Sequence, residues 1–309
     1  MEKIFLNCYI CQKKDQNMKK YESSELIVTE QGGIYHLNLT PDQIAKDIIL
    51  VGDPGRVHEI STRFDTIEHQ VSNREFVTHT GYIGNHRLTV ISSGIGTDNI
   101  DIVVNELDAL ANIDLQKRID KQSHQTLNLI RLGTSGALKE TVDVDSFLIS
   151  KYALGIDNLA LFYDLNEHII DKEAVNEFVN QISWDPKLSE PYIIKSSDSL
   201  NDSFHENIQR GITVTAPGFY GPQGRKLRIS PADPEQNNKL ASFQWKQTPV
   251  TNYEMETSAL YALGQQLGHK TLTICAIIAN RPAGKYSKDH KKTVSNLIDL
   301  VLDTLTKQK

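Results

Sequence analysis

Short apolar runs alternate with helical patterns from Ile34 onward, and this alternation restricts the fold of the chain more than any other feature. Ile48-Ile49-Leu50-Val51, Leu88-Thr89-Val90-Ile91, Leu127-Asn128-Leu129-Ile130, Phe147-Leu148-Ile149 and Thr273-Ile274-Cys275-Ala276-Ile277-Ile278 have the length and polarity of buried strands. Between them Ile102, Val103, Leu107 and Leu110 recur at helical spacing, as do Leu260, Leu263 and Leu267, with Gly268 placed to stop the second helix. Strand followed by helix, repeated, predicts an α/β fold with a mostly parallel or mixed sheet covered by helices. In such sheets ligand groups lie at the carboxyl ends of the strands.

At 309 residues and 39% hydrophobic content the chain can bury the core of one large α/β domain or two ordinary ones, and no internal break forces two. A formal charge of −6 gives no general attraction for nucleic acid or an anionic membrane, so an anionic ligand requires a local arginine cluster. There is no run of about 18 apolar residues and no signal-peptide pattern, which predicts a soluble, cytoplasmic protein. Three cysteines, an odd number, argue against a disulfide framework. Cys8-Tyr9-Ile10-Cys11 has the spacing of half a zinc site or a redox pair, but nothing nearby completes a tetrahedral set. The polar stretch that follows reads as part of a flexible extension over residues 1–30, with Met18 as an alternative start and the folded domain at 31–309.

Five segments carry chemistry. Gly52-Asp53-Pro54-Gly55-Arg56 leaves a strand through a glycine turn and delivers an arginine near a helix N-terminus, where backbone N–H groups and a guanidinium make an anion site. Arg131-Leu132-Gly133-Thr134-Ser135-Gly136 ends another apolar strand, and a buried arginine there needs an acidic partner or an anionic ligand. Asn252-Tyr253-Glu254-Met255-Glu256 sets two carboxylates beside a methionine before a helix; a carboxylate can accept both hydrogen bonds of a vicinal diol such as that of ribose. Asn280-Arg281 follows the longest apolar strand, at the expected mouth of the sheet. In Phe219-Tyr220-Gly221-Pro222-Gln223-Gly224-Arg225, the Gln223 carboxamide and Arg225 guanidinium match the edge of a ring that carries C=O, N–H, C=O, as uracil does. Phe219 supplies a stacking face. Each segment taken alone also reads as an ordinary turn or a helix start.

Two competing motifs fail. Gly94-Ile95-Gly96 has Asn99 where a dinucleotide fingerprint needs its third glycine, and Gly133-Thr134-Ser135-Gly136 lacks nucleophile-elbow spacing.

In chain order, His36-Leu37-Asn38-Leu39-Thr40, Gly52 to Arg56, Asn73-Arg74-Glu75-Phe76, Ser93 to Gly96, Arg131 to Gly136, Phe219 to Arg225 and Asn252 to Glu256 resemble the nucleoside phosphorylase family, within it the uridine phosphorylases. The resemblance runs from about His36 to the C-terminal helix. It implies a single domain with a mixed, partly barrel-like central sheet flanked by helices. It further implies that Gly52, Arg56, Arg131 and Thr134 bind inorganic phosphate, joined by Arg74 of a neighbouring subunit. Glu256 and Met255 would hold ribose, with His36 of the neighbour at the 5′ hydroxyl. Gln223 and Arg225 would read uracil, and Phe219, Ile278 and Ala279 would shape the base pocket. The implied catalytic set is Arg56, Arg131, Glu256, Arg225 and Gln223, and the implied assembly is a dimer or a trimer of dimers, with no nucleic-acid or membrane partner.

The implied reaction is phosphorolysis of uridine to uracil and ribose 1-phosphate in nucleoside salvage, with phosphate as co-substrate and no cofactor. Purine-cleaving relatives carry an aspartic acid after the strand ending near position 280; this chain has Asn280, whose amide cannot deliver a proton to a purine ring. A broader nucleoside phosphorylase (thymidine, deoxyuridine or purine nucleosides) and a non-catalytic nucleoside-binding homologue are the alternatives. No metal is implied beyond a structural monovalent cation beside Glu75 and Ile95, which Thr97-Asp98-Asn99 puts in question, since many bacterial members have glycine, proline and serine there. The polar segment 113–125, with Leu115 and Ile119 at helical spacing, reads as a lengthened connection, and Arg228 to Pro234 as a surface loop or part of a lid.

Overall fold

All five apolar runs form strands in the computed structural model, which describes residues 20–205 and 207–307. In chain order the strands are β1 Asp47–Val51, β2 Thr66–Asn73, β3 Phe76–Ile83, β4 His86–Ser92, β5 Ile113–Asp114, β6 Ile119–Asp120, β7 Asn128–Ala137, β8 Phe147–Gly155, β9 Tyr192–Lys195, β10 Gln209–Thr215, β11 Gln244–Trp245, β12 Thr248–Glu254, β13 Lys270–Asn280 and β14 Lys285–Tyr286. β12, β10, β8, β13 and β7 pair in that order, and β7 pairs back onto β12 through Gly136 and Tyr253, which closes a five-stranded mixed barrel. From β7 the sheet continues outward through β1, β4, β3 and β2. This is the single-domain, partly barrel-like α/β architecture expected.

β1 shows why continuous apolar runs were needed. Ile48 and Leu50 face one core, shared with Val103 and Leu107 of the helix Thr97–Asn112, while Ile49 and Val51 face another, shared with Leu297 and Val301 of the helix His290–Lys307. Successive strand residues point to opposite faces, so a sheet covered on both sides needs apolar residues at every position. Truncating Ile49 to alanine would cost about 2–5 kcal/mol through lost burial and the cavity left behind.

Several local expectations are corrected. Arg131 to Gly136 is not a loop after a strand: β7 runs through it, because its parallel ladder with β13 continues past Cys275↔Gly133 and Ala276↔Thr134. Segment 113–125 forms a small hairpin of β5 and β6, not a helical connection. The Asp114 carboxylate accepts the backbone N–H groups of Gln116 and Lys117, and Arg118 takes a positive φ of 59°, so turn chemistry overrides the helical spacing. The part of the expected 1–30 extension that is described is docked on this hairpin. The Tyr21 N–H donates to the Arg118 carbonyl at 2.8 Å, its hydroxyl to Asp120 at 2.8 Å, and Leu26 is buried. Cys8, Cys11 and Met18 lie outside the described residues. Among the described residues no helix is long and apolar enough to cross a membrane.

Candidate active site

A cavity of about 1070 Å³ opens where β1, β7, β12 and β13 end, and it is lined by Gly52, Arg56, Arg131, Thr134, Glu256, Met255, Phe219, Gln223, Arg225, Ile278 and Ala279. Eleven of the thirteen residues assigned to phosphate, ribose or base therefore meet in one place. The other two, His36 and Arg74, do not line it. They sit together elsewhere: Asn73 Nδ2 donates to the His36 carbonyl at 2.7 Å, the Arg74 guanidinium lies 5.6 Å from the Tyr35 ring centroid, and His36 Nδ1 contacts Glu106 at 2.6 Å.

One end of the cavity is built from buried charge. The Arg131 guanidinium pairs with Glu256 and lies 3.4 Å from a Glu254 oxygen, all three residues being buried. Burial works against the Arg131 charge, but the carboxylates of Glu256 and then Glu254 outweigh it and raise its proton affinity above that of a free arginine. Its Nε and Nη1 nevertheless find no hydrogen-bond acceptor among the described residues. Arg56 comes from the first turn of the helix Pro54–Ser61, which Asp53 caps by accepting the Gly55 N–H at 2.8 Å. Burial first, and repulsion from Arg131 second, lower the Arg56 pKa. A guanidinium keeps its proton regardless, so two neighbouring cations at a strand end favour an incoming anion. Gly133 makes room for this arrangement, since a Cβ there would stand 2.2 Å from Arg131 Nη1.

The two carboxylates of the segment Glu254-Met255-Glu256 divide their tasks. Glu254 ties the start of the helix Thr257–Gln266: one oxygen accepts the backbone N–H groups of Glu256 and Thr257, both at 2.9 Å, and the other accepts the Thr215 hydroxyl at 2.6 Å. Burial pushes its carboxyl up to about 7 against the pull of Arg131. Glu256 faces the cavity and also accepts the Gly96 N–H at 2.9 Å, which explains the glycine run after β4: Gly94 and Gly96 have φ of 71° and 102°. The Asn99 amide donates to the Ile95 carbonyl at 3.4 Å. Cys275 lies beneath Arg131, and burial pushes its thiol up to about 12, leaving it an inert packing residue.

The other end is a loop. Gln223 is buried, and its Oε1 accepts from Arg225 Nη1 at 2.6 Å; because arginine only donates, this contact fixes which way the amide points. Arg225 stacks 3.6 Å from the Phe219 ring centroid and donates to the Phe219 carbonyl at 2.5 Å. Arg281 holds this loop by donating to the Gln223 carbonyl at 2.6 Å and the Gly224 carbonyl at 3.2 Å. Sequence reading placed Arg281 at the mouth but missed this clamp, because backbone acceptors leave no mark in the sequence. Asn280, by contrast, turns away from the cavity. Its Nδ2 donates to the carbonyls of Lys139 and Val142 at 2.9 and 2.7 Å, and its Oδ1 accepts the Ala283 N–H at 3.0 Å. Tyr253 and Tyr286 also line the cavity and were not assigned from sequence.

The similarities to known proteins fall on the same scaffold. A solved Trypanosoma brucei nucleoside phosphorylase, described as showing uridine phosphorylase activity, is 29% identical and superposes with a TM-score of 0.82 over 91% of this chain and 99% of its own. A uridine phosphorylase of Thermococcus kodakarensis is 28% identical over 281 residues, which cover 89% of this chain and 87% of the relative. A uridine phosphorylase of Haemophilus influenzae is 29% identical over 253 residues, 81% of this chain and 87% of the relative. The profile of the phosphorylase superfamily matches residues 46–306, a span that holds every strand described and both ends of the cavity, and the chain belongs to that superfamily.

Proposed function

We propose that this chain catalyses the phosphorolysis of uridine, giving uracil and ribose 1-phosphate, in pyrimidine nucleoside salvage. The observation that carries this reading is one cavity with an arginine pair and a diol-binding carboxylate at one end and a Gln–Arg pair at the other. Phosphate held by Arg56, Arg131, Thr134 and the Gly52 backbone would lie below C1′ of a ribose whose 2′ and 3′ hydroxyls bond Glu256. Arg131 and Glu256 pair with each other, and the two substrates would separate them: the oxyanion would take the guanidinium and the diol the carboxylate. Positive charge then builds on the sugar between phosphate and Glu256, while negative charge collects on the base carbonyls.

Gln223 fits a uracil edge with its Nε2 donating to one ring carbonyl and the second lone pair of Oε1 facing the ring N–H; Arg225 donates to the other carbonyl. A departing uracil is a stabilised anion and needs no proton from the protein. Consistent with that, the carboxylates lining the cavity, Asp53, Glu254 and Glu256, all belong to the phosphate and ribose end, and Asn280 is committed to backbone carbonyls. The reaction so drawn uses no metal or organic cofactor, phosphate being a co-substrate.

His36 and Arg74, grouped outside the cavity, would complete the site of a second copy, which makes the working form a homo-oligomer. Mixing Arg56→Ala with Arg74→Ala subunits, each inactive alone, would restore up to about a quarter of wild-type activity, since one site in each mixed dimer is intact. The test of the reaction itself is ultraviolet monitoring of uridine, thymidine, inosine and adenosine with and without phosphate. Loss of uridine only with phosphate is the expected result. Phosphate-independent loss would mean a hydrolase, no turnover a binding protein, and preferred cleavage of inosine would overturn the base assignment.

A further inference from the structure

Glu254 lies within ion-pair range of Arg131 but has no place in the reaction drawn above. Four groups of neighbours face it: Arg131 from β7, Thr215 from β10, Cys275 from β13, and Glu256 and Tyr261 from the start and middle of the helix Thr257–Gln266. The only cation in that set is Arg131, and it already contacts Glu256. Arg56 stands beside Arg131, so two guanidinium groups balance the two ionised carboxylates, and an arriving dianion gives this buried cluster a net negative charge unless a proton comes with it. Arg131 Nε, buried and without a hydrogen-bond acceptor among the described residues, is a donor that such an anion would satisfy, while Nη1 has the 3.4 Å contact with Glu254.

We propose that Glu254 is a positioning residue for the anion end of the cavity and that it takes up one proton as an oxyanion binds there. The geometry gives the reason. The Glu254 carboxyl is fixed by two backbone N–H groups and a hydroxyl, so it cannot swing away from an arriving dianion. Relief of the repulsion therefore comes from protonation and not from movement. Once neutral, Glu254 keeps its hold on the helix start, and Arg131 is left with the anion and, until a ribose diol takes it, Glu256 as its partners. The preference of the buried carboxyl for its proton near pH 7 acts in the same direction. Anion binding then tightens as the solution becomes more acid, by a group that touches neither base nor sugar.

This inference rests on the phosphorolysis reading, and the experiment separates the two. The full chain is titrated calorimetrically with sulfate, a dianion that does not itself titrate between pH 6 and 8, in pairs of buffers with different ionisation enthalpies. The expected result is uptake of about half a proton or more per sulfate bound near pH 7, with an apparent Kd that rises up to about tenfold per pH unit above it. In Glu254→Gln the amide can offer its oxygen to the backbone N–H groups and its NH₂ to Thr215. That variant is expected to bind sulfate with less than about a twofold change in Kd from pH 6 to 8 and no proton uptake. Sulfate binding by the wild-type chain without proton uptake overturns the role of Glu254 and leaves phosphorolysis standing, whether or not the variant folds. Failure of sulfate and of inorganic phosphate to bind at all overturns both.

Discussion

The two ends of the cavity are built on opposite principles. At the phosphate and ribose end, Arg131, Glu254 and Glu256 are buried on strands and at a helix start, and every charge is held by another charge or by backbone N–H groups. At the base end, Gln223 is buried, but Phe219 is 50% exposed and Arg225 rests on a ring face and on carbonyls of its own loop. An arginine surrounded by carboxylates in the interior is part of the fold; an arginine clamped to a loop is only part of the site. The comparison teaches that the two ends should fail differently when altered, one losing structure together with chemistry and the other losing chemistry alone.

The largest effect is expected at Arg131. Arg131→Ala strands two buried carboxylates, which costs about 3–5 kcal/mol of stability in addition to the binding of phosphate. Chemical denaturation should show that loss, and turnover should fall by about 10³-fold or more. A variant that kept wild-type stability would mean that Glu254 and Glu256 do not depend on Arg131, and the distinction between the two ends would go with it. Arg225→Ala is the opposite case. It removes one donor to the developing charge on the base, so kcat should drop by about 10² while the denaturation midpoint stays put. A kcat within a factor of two of wild type would exclude Arg225 from the chemistry.

The buried end was also the more legible of the two in the sequence. An arginine inside an apolar run and two carboxylates before a helix advertise a charge cluster, because none of them can be buried without partners. The division of labour between Glu254 and Glu256 was not legible: residues two apart differ only in which backbone N–H groups they reach, and that depends on how the chain turns into the helix. The barrel was implied by the family resemblance alone, and the residues that close it did not announce it, for a similar reason. It depends on the β7 to β12 pairing through Gly136 and Tyr253, a contact between residues far apart in sequence whose side chains carry no signal for it. β2 was missed because its residues are largely exposed or half-buried and polar, so apolar periodicity had nothing to register. Arg281 was seen and its task was not, since a clamp onto the Gln223 and Gly224 carbonyls uses acceptors that every residue possesses.

That clamp sharpens the comparison further. Arg281→Met keeps the apolar stem but releases both carbonyls, and loss of charged hydrogen bonds of this kind amounts to about 1.5–3 kcal/mol. The expected outcome is a rise of about tenfold or more in KM for uridine, with KM for phosphate unchanged, measured by varying each substrate in turn. Equal rises in both would mean that Arg281 supports the whole cavity and not the base loop alone.

The smallest effect is a slope. Folding raises the Glu254 carboxyl to about 7, above the value of about 4.3 expected in the unfolded chain. Between those values the folded protein binds more protons than the unfolded one. The stability linked to this group is therefore complete on the acid side, is lost as pH rises towards 7, and changes little beyond it. Glu254→Gln removes the titration. From pH 5 to 8 the wild-type chain should lose stability relative to that variant by on the order of 1 kcal/mol, read from paired denaturation curves so that every other titrating group cancels. Parallel slopes would mean that Arg131 holds Glu254 ionised throughout; the ion pairs would then win over burial.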